Sequence, residues 1–311
     1  MAGASPESRP GALTMAGEDT WRLVPHLGRR RRIPMTWGSL RLVVAAVPLA
    51  VTVLAAAFAA TLAPHDPLAQ DLGRRLLPPS WLSGGSGAYL LGTDQIGRDV
   101  LSRIIYGARI SLPIALAASA LGAGVGIPLG AIAGYFRGRV DGVLSNAMDI
   151  QLSFPFLLFA ISIIAVSGPG VSVLVVVLAI GSWVAYARIV RGMVLGLREK
   201  EFVQAARALG VSSGRIIARQ IVPNVLPTAF VVGTLDVGRI IILEATLSFL
   251  GLGVQPPTPS WGMSLSDARE YIQIAWWTAT FPGLAIMLVV LSVNQLGDGL
   301  RDILDPRLRF A

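Results

Sequence analysis

Residues 198–227 read R-E-K-E-F-V-Q-A-A-R-A-L-G-V-S-S-G-R-I-I-A-R-Q-I-V-P-N-V-L-P. The stretch lies between two apolar segments and is too charged to enter lipid. Glu199, Lys200, Ala205, Ala206, Arg207 and Leu209 are good helix formers. Gly210 is free to take positive φ, which suits a helix end. Ser212 or Ser213 can cap a second helix, with Val211, Ile216, Ile217 and Ile221 on its apolar side. Pro223 and Pro227 are expected to end that helix. The spacing predicts a basic helix–turn–helix on one side of a membrane, shaped to dock a soluble partner.

The whole chain supports a membrane setting. Of its residues 53% are hydrophobic and only 14% charged, too apolar for a soluble domain of 311 residues. Mean hydropathy is +0.65. The net charge of +8 does not point to nucleic acid, because the arginines flank apolar runs instead of forming one patch with aromatics. Zero cysteines exclude disulfides, thiol catalysis and Cys-based metal sites. His26 and His65 are too few and too far apart for a His site.

Working outward, apolar runs predict six membrane spans: 42–63, 112–135, 143–166, 171–190, 226–247 and 276–296. The first follows Arg29–Arg32. It is longer than the core of a cleaved signal peptide and reads as an uncleaved span. Residues 1–40 form an N-terminal tail, disordered at its start. Residues 41–300 hold the spans, and 301–311 form a second tail. Segments 64–108 and 248–275, rich in Pro and Gly, are expected outside. Within the first, Ile96, Val100, Ile104 and Gly107 or Ala108 share one helical face, while Arg98, Asp99, Ser102 and Arg103 look elsewhere. That pattern fits an interfacial helix leading into the second span. Nineteen of the 26 Lys and Arg residues fall on the side of the charged hairpin, Arg188 at the end of the fourth span counted with them, six fall on the other, and Arg239 alone lies deep within a span. The bias puts both termini in the cytoplasm.

Three groups inside the spans call for a reason. Gly122, Gly126, Gly130 and Gly134 recur every four residues and let another helix approach, either as a moving interface or as static packing. Asp149, Gln151 and Pro155 interrupt the third span. Asp236, Arg239 and Glu244 share a broad face of the fifth, which is expected to line a polar path or a seam with another chain. Asp236 and Arg239, three apart, can pair.

The 198–227 stretch resembles the cytoplasmic loop of ABC importer permeases, where Glu-Ala-Ala is followed by Gly and then by Leu-Pro. Gln204, Ala205, Ala206, Gly210, Val222 and Pro223 occupy those places, with Gln204 replacing the acid and Val222 the Leu. Residues 91–309 are more specifically similar to dipeptide and oligopeptide importer permeases. The likeness is carried by L-G-T-D-Q-I-G-R-D, Gly134-Tyr135-Phe136, Val140-Asp141, Asp149-Ile150, Ser153-Phe154-Pro155, G-L-G-V-Q-P-P-T-P-S-W-G and the tail. The resemblance implies an all-α integral membrane protein of the type I importer permease fold, with six spans and a cytoplasmic coupling helix–turn–helix. It implies a second homologous permease, two ATPase subunits and an external peptide-binding protein as partners in the lipid membrane. ATP and Mg would sit on the ATPases, with no cofactor on this chain, and transport would proceed by alternating access.

The chain carries no G-x-x-x-x-G-K-[ST] phosphate loop and no His-Glu-x-x-His motif, so no catalytic or metal residues are assigned. Asp298, Asp302 and Asp305 alternate with Arg301 and Arg307 and read as a solvated end. An ion-coupled secondary transporter stands as an alternative, weakened by the lack of evident internal repeats. A non-transporting scaffold would explain the hairpin but not the polar residues within spans. Nickel and glutathione stand beside peptides as substrates, since related permeases carry these too.

Overall fold

The computed structural model describes residues 35–304. Arg29–Arg32, the start of the N-terminal tail and the end of the C-terminal tail lie outside the described residues. The elements are helices α1 (Met35–Ala57), α2 (Ala59–Leu62), α3 (Val100–Phe136), α4 (Gly138–Ser153), α5 (Phe156–Ser167), α6 (Val171–Leu197), α7 (Glu201–Ala208), α8 (Ser213–Ile216), α9 (Val222–Phe249), α10 (Trp261–Ala268) and α11 (Trp277–Leu304). Among the described residues there is no strand, only an isolated bridge between Thr93 and Asp99.

Helices α3, α6, α9 together with α8, and α11 are each long and apolar enough to cross a membrane. The expected third span, 143–166, is not one straight helix. It is the pair α4 and α5, bent by 86°. Pro155 disfavours helix at the residue before it, and Phe154 is extended there at φ −100°, ψ 135°. The expected first span corresponds to α1 and α2. α1 has 23 residues and is followed after Phe58 by the short α2.

Two other expectations are corrected. The stretch before residue 112 is not a separate interfacial helix but the first turns of α3, which starts at Val100. Asp99 caps it, accepting from the Ser102 N–H at 2.9 Å. Both faces of these turns are buried: Val100 and Ala108 on one side, Asp99, Ser102 and Arg103 on the other. Nor do Pro223 and Pro227 end the hairpin's second helix. A π turn at Ile217–Ile221 joins α8 to α9, with the Val222 N–H reaching the Ile217 carbonyl. Pro223 comes just after that π turn, and the helix continues through it. The Asn224 amide donates to the Gln220 carbonyl at 2.6 Å.

The centre of the fold is the contact of α3 with α6. Gly122, Gly126, Gly130 and Gly134 are all buried and face α6. A methyl group at Gly122 would lie 2.7 Å from Ser182 Cβ, and at Gly134 2.8 Å from the Arg191 carbonyl oxygen. At Gly126 and Gly130 it would overlap the carbonyl oxygens of Trp183 and Ala187. The stripe therefore serves backbone-to-backbone packing inside this chain. Helices α9 and α11 complete the main core around Ala115, Leu174, Leu178, Ile240, Ile241 and Val289.

Candidate functional site

The hairpin is built as a tooth packed on the C-terminal ends of α3 and α6. Helix α7 ends in a Schellman turn: the Val211 N–H donates to the Ala206 carbonyl at 3.1 Å and the Gly210 N–H to the Arg207 carbonyl at 3.0 Å. Gly210 supplies the required positive φ of 75°. Val203, Ala206, Ile216, Ile221 and Val225 are buried against Ala131, Tyr135, Val190 and Val194. The Arg207 guanidinium stands 5.2 Å from the Tyr135 ring centroid, and Arg198 donates to the Tyr135 carbonyl. Arg137 pairs with Glu199 at 3.4 Å.

The candidate coupling residues divide between two sides of the tooth. Ala206 is 6% exposed and packs inward with Val203, and Val222 is half-buried. Gln204, Ala205, Gly210 and Pro223 face outward. Gln204 donates to the Glu199 carbonyl at 3.1 Å and so helps close the turn into α7. The outward side also carries two residues to which the sequence reading gave no docking role. Phe202 is 45% and Leu209 83% exposed. With Ala205 they sit at i, i+3 and i+7, one apolar stripe on a basic surface. That spacing was the signal in the sequence.

The three charges of the fifth span do not share one fate. Asp236 is buried; its Oδ1 accepts from the Ser182 hydroxyl at 3.2 Å and lies 3.7 Å from Arg239 Nε. Arg239 is half-exposed and donates to the Gly181 carbonyl at 2.9 Å. Glu244 is fully buried. Ser248 donates to it at 2.9 Å, and the hydroxyls of Ser111 and Ser260 stand beside it, so it is enclosed by α3, α9 and α10. Glu244 therefore does not reach the face that carries Arg239. Gln151 from α4 donates to the Ile180 carbonyl, next to the one Arg239 reaches, and accepts from Trp183 Nε1 at 2.6 Å. Asp149 and Arg188 pair at 2.7 Å further along, both exposed. Polar groups of α4, α6 and α9 thus run along one side of the molecule.

A second ionic cluster was not foreseen. Arg98 donates to Asp94 at 2.6 Å and to Asp267 at 2.7 Å, and Arg103 donates to Asp267 at 2.9 Å and lies 3.5 Å from Asp94. All four are largely buried. The cluster ties the 64–99 segment and the start of α3 to α10. Nothing local in the sequence marks this pairing, because Asp267 is 169 residues from Arg98.

Residues 126–310 match the family model described as "Binding-protein-dependent transport system inner membrane component". The chain is 46% identical over 259 residues to the di/tripeptide transport system permease protein DppC of Pseudomonas aeruginosa, covering 83% of this chain and 86% of that one. It is 44% identical over 267 residues to the dipeptide permease DppC of Escherichia coli, covering 86% and 89%. It is 44% identical over 226 residues to the glutathione permease GsiD of Pectobacterium atrosepticum, covering 73% and 75%. A chain of the inward-facing MetNI methionine ABC transporter superposes with a TM-score of 0.53 at 18% identity, covering 65% of this chain and 97% of that chain, a likeness of fold. Sequence, fold and the hairpin's placement agree: the chain belongs to the inner-membrane permease family of binding-protein-dependent ABC transporters.

Proposed function

We propose that this chain is one of two permease subunits of an ATP-driven importer of di- and oligopeptides. Its partners are a second, homologous permease, two ATPases that hold ATP and Mg, and an external peptide-binding protein. The hairpin and both termini lie in the cytoplasm. The observation that carries the coupling role is the Phe202–Ala205–Leu209 stripe, apolar and exposed on the tooth. A soluble ATPase with an apolar groove would cover it. Because α8 runs through the π turn into α9 without a break, a push on the tooth moves the helix that carries Arg239. Lipid is a poor neighbour for that side chain: a mid-membrane charge costs roughly 2.5–3.5 kcal/mol on insertion scales. Its face therefore borders a watery path or the second permease. The peptide assignment rests on the likeness to the di/tripeptide and dipeptide permeases. Glutathione is the second reading, favoured by the GsiD likeness. The test is uptake of labelled dipeptide and of labelled glutathione by cells expressing the complete complex, with and without this chain. Chain-dependent, ATP-dependent dipeptide uptake is expected. Uptake of glutathione alone would favour the second reading, and chain-dependent uptake that survives loss of the ATPases would overturn the importer.

A further inference from the structure

Gly181 and Ser182, consecutive on α6, hold both members of the Asp236–Arg239 pair. The Gly181 carbonyl accepts from Arg239 Nη2 at 2.9 Å, and the Ser182 hydroxyl donates to Asp236 Oδ1 at 3.2 Å. Both positions are closely packed. A methyl group at Gly181 would lie 2.3 Å from Phe156 Cε2 of α5, and Ser182 Cβ faces Gly122 of α3. Asp236 is backed from a second direction as well. The hydroxyls of Tyr186 on α6 and Ser119 on α3 stand beside it, 2.7 Å from each other. Asp236 Oδ2 is buried without a hydrogen bond among the described residues, and these two hydroxyls are the donors placed to meet it. Ser119, Ser182, Tyr186 and Asp236 are all buried, while Arg239 is half-exposed.

A buried carboxylate needs hydrogen-bond donors in place of water. Here the hydroxyls come from α3 and α6, so they fix where the Asp236 carboxylate stands relative to helices other than its own. The carboxylate in turn restrains Arg239. A long side chain has many rotamers, and a carboxylate 3.7 Å from Nε with a carbonyl on Nη2 selects among them. We propose that Ser182 and Tyr186 are positioning residues for transport, a role that rests on the reading of this polar side as the border of the transport path. Acting through Asp236, they set the direction in which the Arg239 guanidinium points. Neither needs to touch what passes. Their effect on transport is therefore conditional: it exists only while Arg239 is present to be aimed.

The test is a double-mutant cycle on the complete complex, read as peptide uptake per assembled complex. Ser182→Ala and Tyr186→Phe each remove one hydroxyl and no other group. Each is expected to lower uptake roughly two- to tenfold, the range that loss of one hydrogen bond carries, and by no more than Arg239→Gln does. Combined with Arg239→Gln, neither should lower uptake further. The half-saturating peptide concentration and the maximal rate should shift in the same directions as in Arg239→Gln, which a general loss of packing would not reproduce. Equal factors in the wild-type and Arg239→Gln backgrounds overturn the role, because the hydroxyls then act through packing. Unchanged uptake in both single variants overturns it too. Normal uptake by Arg239→Gln is a separate failure, that of the path reading itself, and removes the role with it. Should Ser182→Ala not assemble, Tyr186→Phe decides by the same comparison.

Discussion

Arg239 stands one turn from Asp236 on α9, with Nε 3.7 Å from Oδ1, yet one side chain is half-exposed and the other buried. The pair straddles the boundary between the packed interior and the polar side of the molecule. Asp236 is held from within by Ser182, while Arg239 spends a second donor on the Gly181 carbonyl. Such a pair anchors a cation at a membrane depth where it would otherwise be unstable.

Transport and assembly should therefore separate at these positions. Arg239→Gln is expected to lower peptide uptake at least fivefold per assembled complex, because the exposed charge is lost from the polar face. Asp236→Asn should mainly lower complex yield. Glu244→Gln lies inside the chain, keeps an acceptor for Ser248, and should leave uptake per complex unchanged. Uptake assays normalised to purified complex decide this; normal uptake by Arg239→Gln would place the path elsewhere.

Leu209→Glu should leave the fold alone and break docking. The side chain is 83% exposed, so its replacement removes little internal packing. ATPase subunits should co-purify with the wild-type chain and be lost from the variant, while its thermal unfolding in detergent stays within a degree or two. Co-purification at wild-type levels would remove the stripe from the interface.

Gly210→Ala meets no neighbour within 4 Å, so its cost is conformational alone: about 1 kcal/mol for an L-residue forced to positive φ. A small drop in thermal stability, with hairpin proteolysis at the 209–211 turn increased, is the expected result. Gly210→Asn should be tolerated better, since Asn enters this region more readily.

Along α3 the glycines should rank by what a methyl would strike. Gly126→Ala pushes against the Trp183 backbone carbonyl and should cost about 1–3 kcal/mol, seen as reduced complex yield. Gly124→Ala, with nothing within 4 Å, should be neutral or slightly stabilising. A reversed order in a melting assay would contradict the α3–α6 packing.

Orientation is checked by labelling. The chain has no native cysteine, so Ser83→Cys and Ser212→Cys, both exposed, can be compared in intact cells. An impermeant thiol reagent should modify the first and not the second. The opposite pattern would invert the topology drawn from the arginine bias.

The sequence by itself determined the all-helical membrane architecture, most of the spanning segments and the charged hairpin with its glycine turn. These follow from local chemistry: apolar runs of span length, arginines at their ends, and one residue free to take positive φ at a helix stop. The candidate coupling positions form a motif in the sequence, which does not tell which way each one faces. Ala205 and Ala206 are neighbours in sequence, yet one is exposed and the other buried, because the helix turns about 100° per residue and the C-terminal ends of α3 and α6 cover only one side. Only the tertiary structure decided that Pro155 breaks a span by 86° while Pro223 and Pro227 break nothing. A proline removes one donor wherever it stands; whether the helix goes on depends on how the neighbouring backbone adjusts, as the π turn at Ile217–Ile221 does before Pro223. It also decided that Arg239 is accessible and Glu244 is not, and it brought Asp267 to Asp94, Arg98 and Arg103, 169 residues away from Arg98 along the chain. Burial of a charge is set by which distant segments meet around it, and no local pattern of residues carries that information.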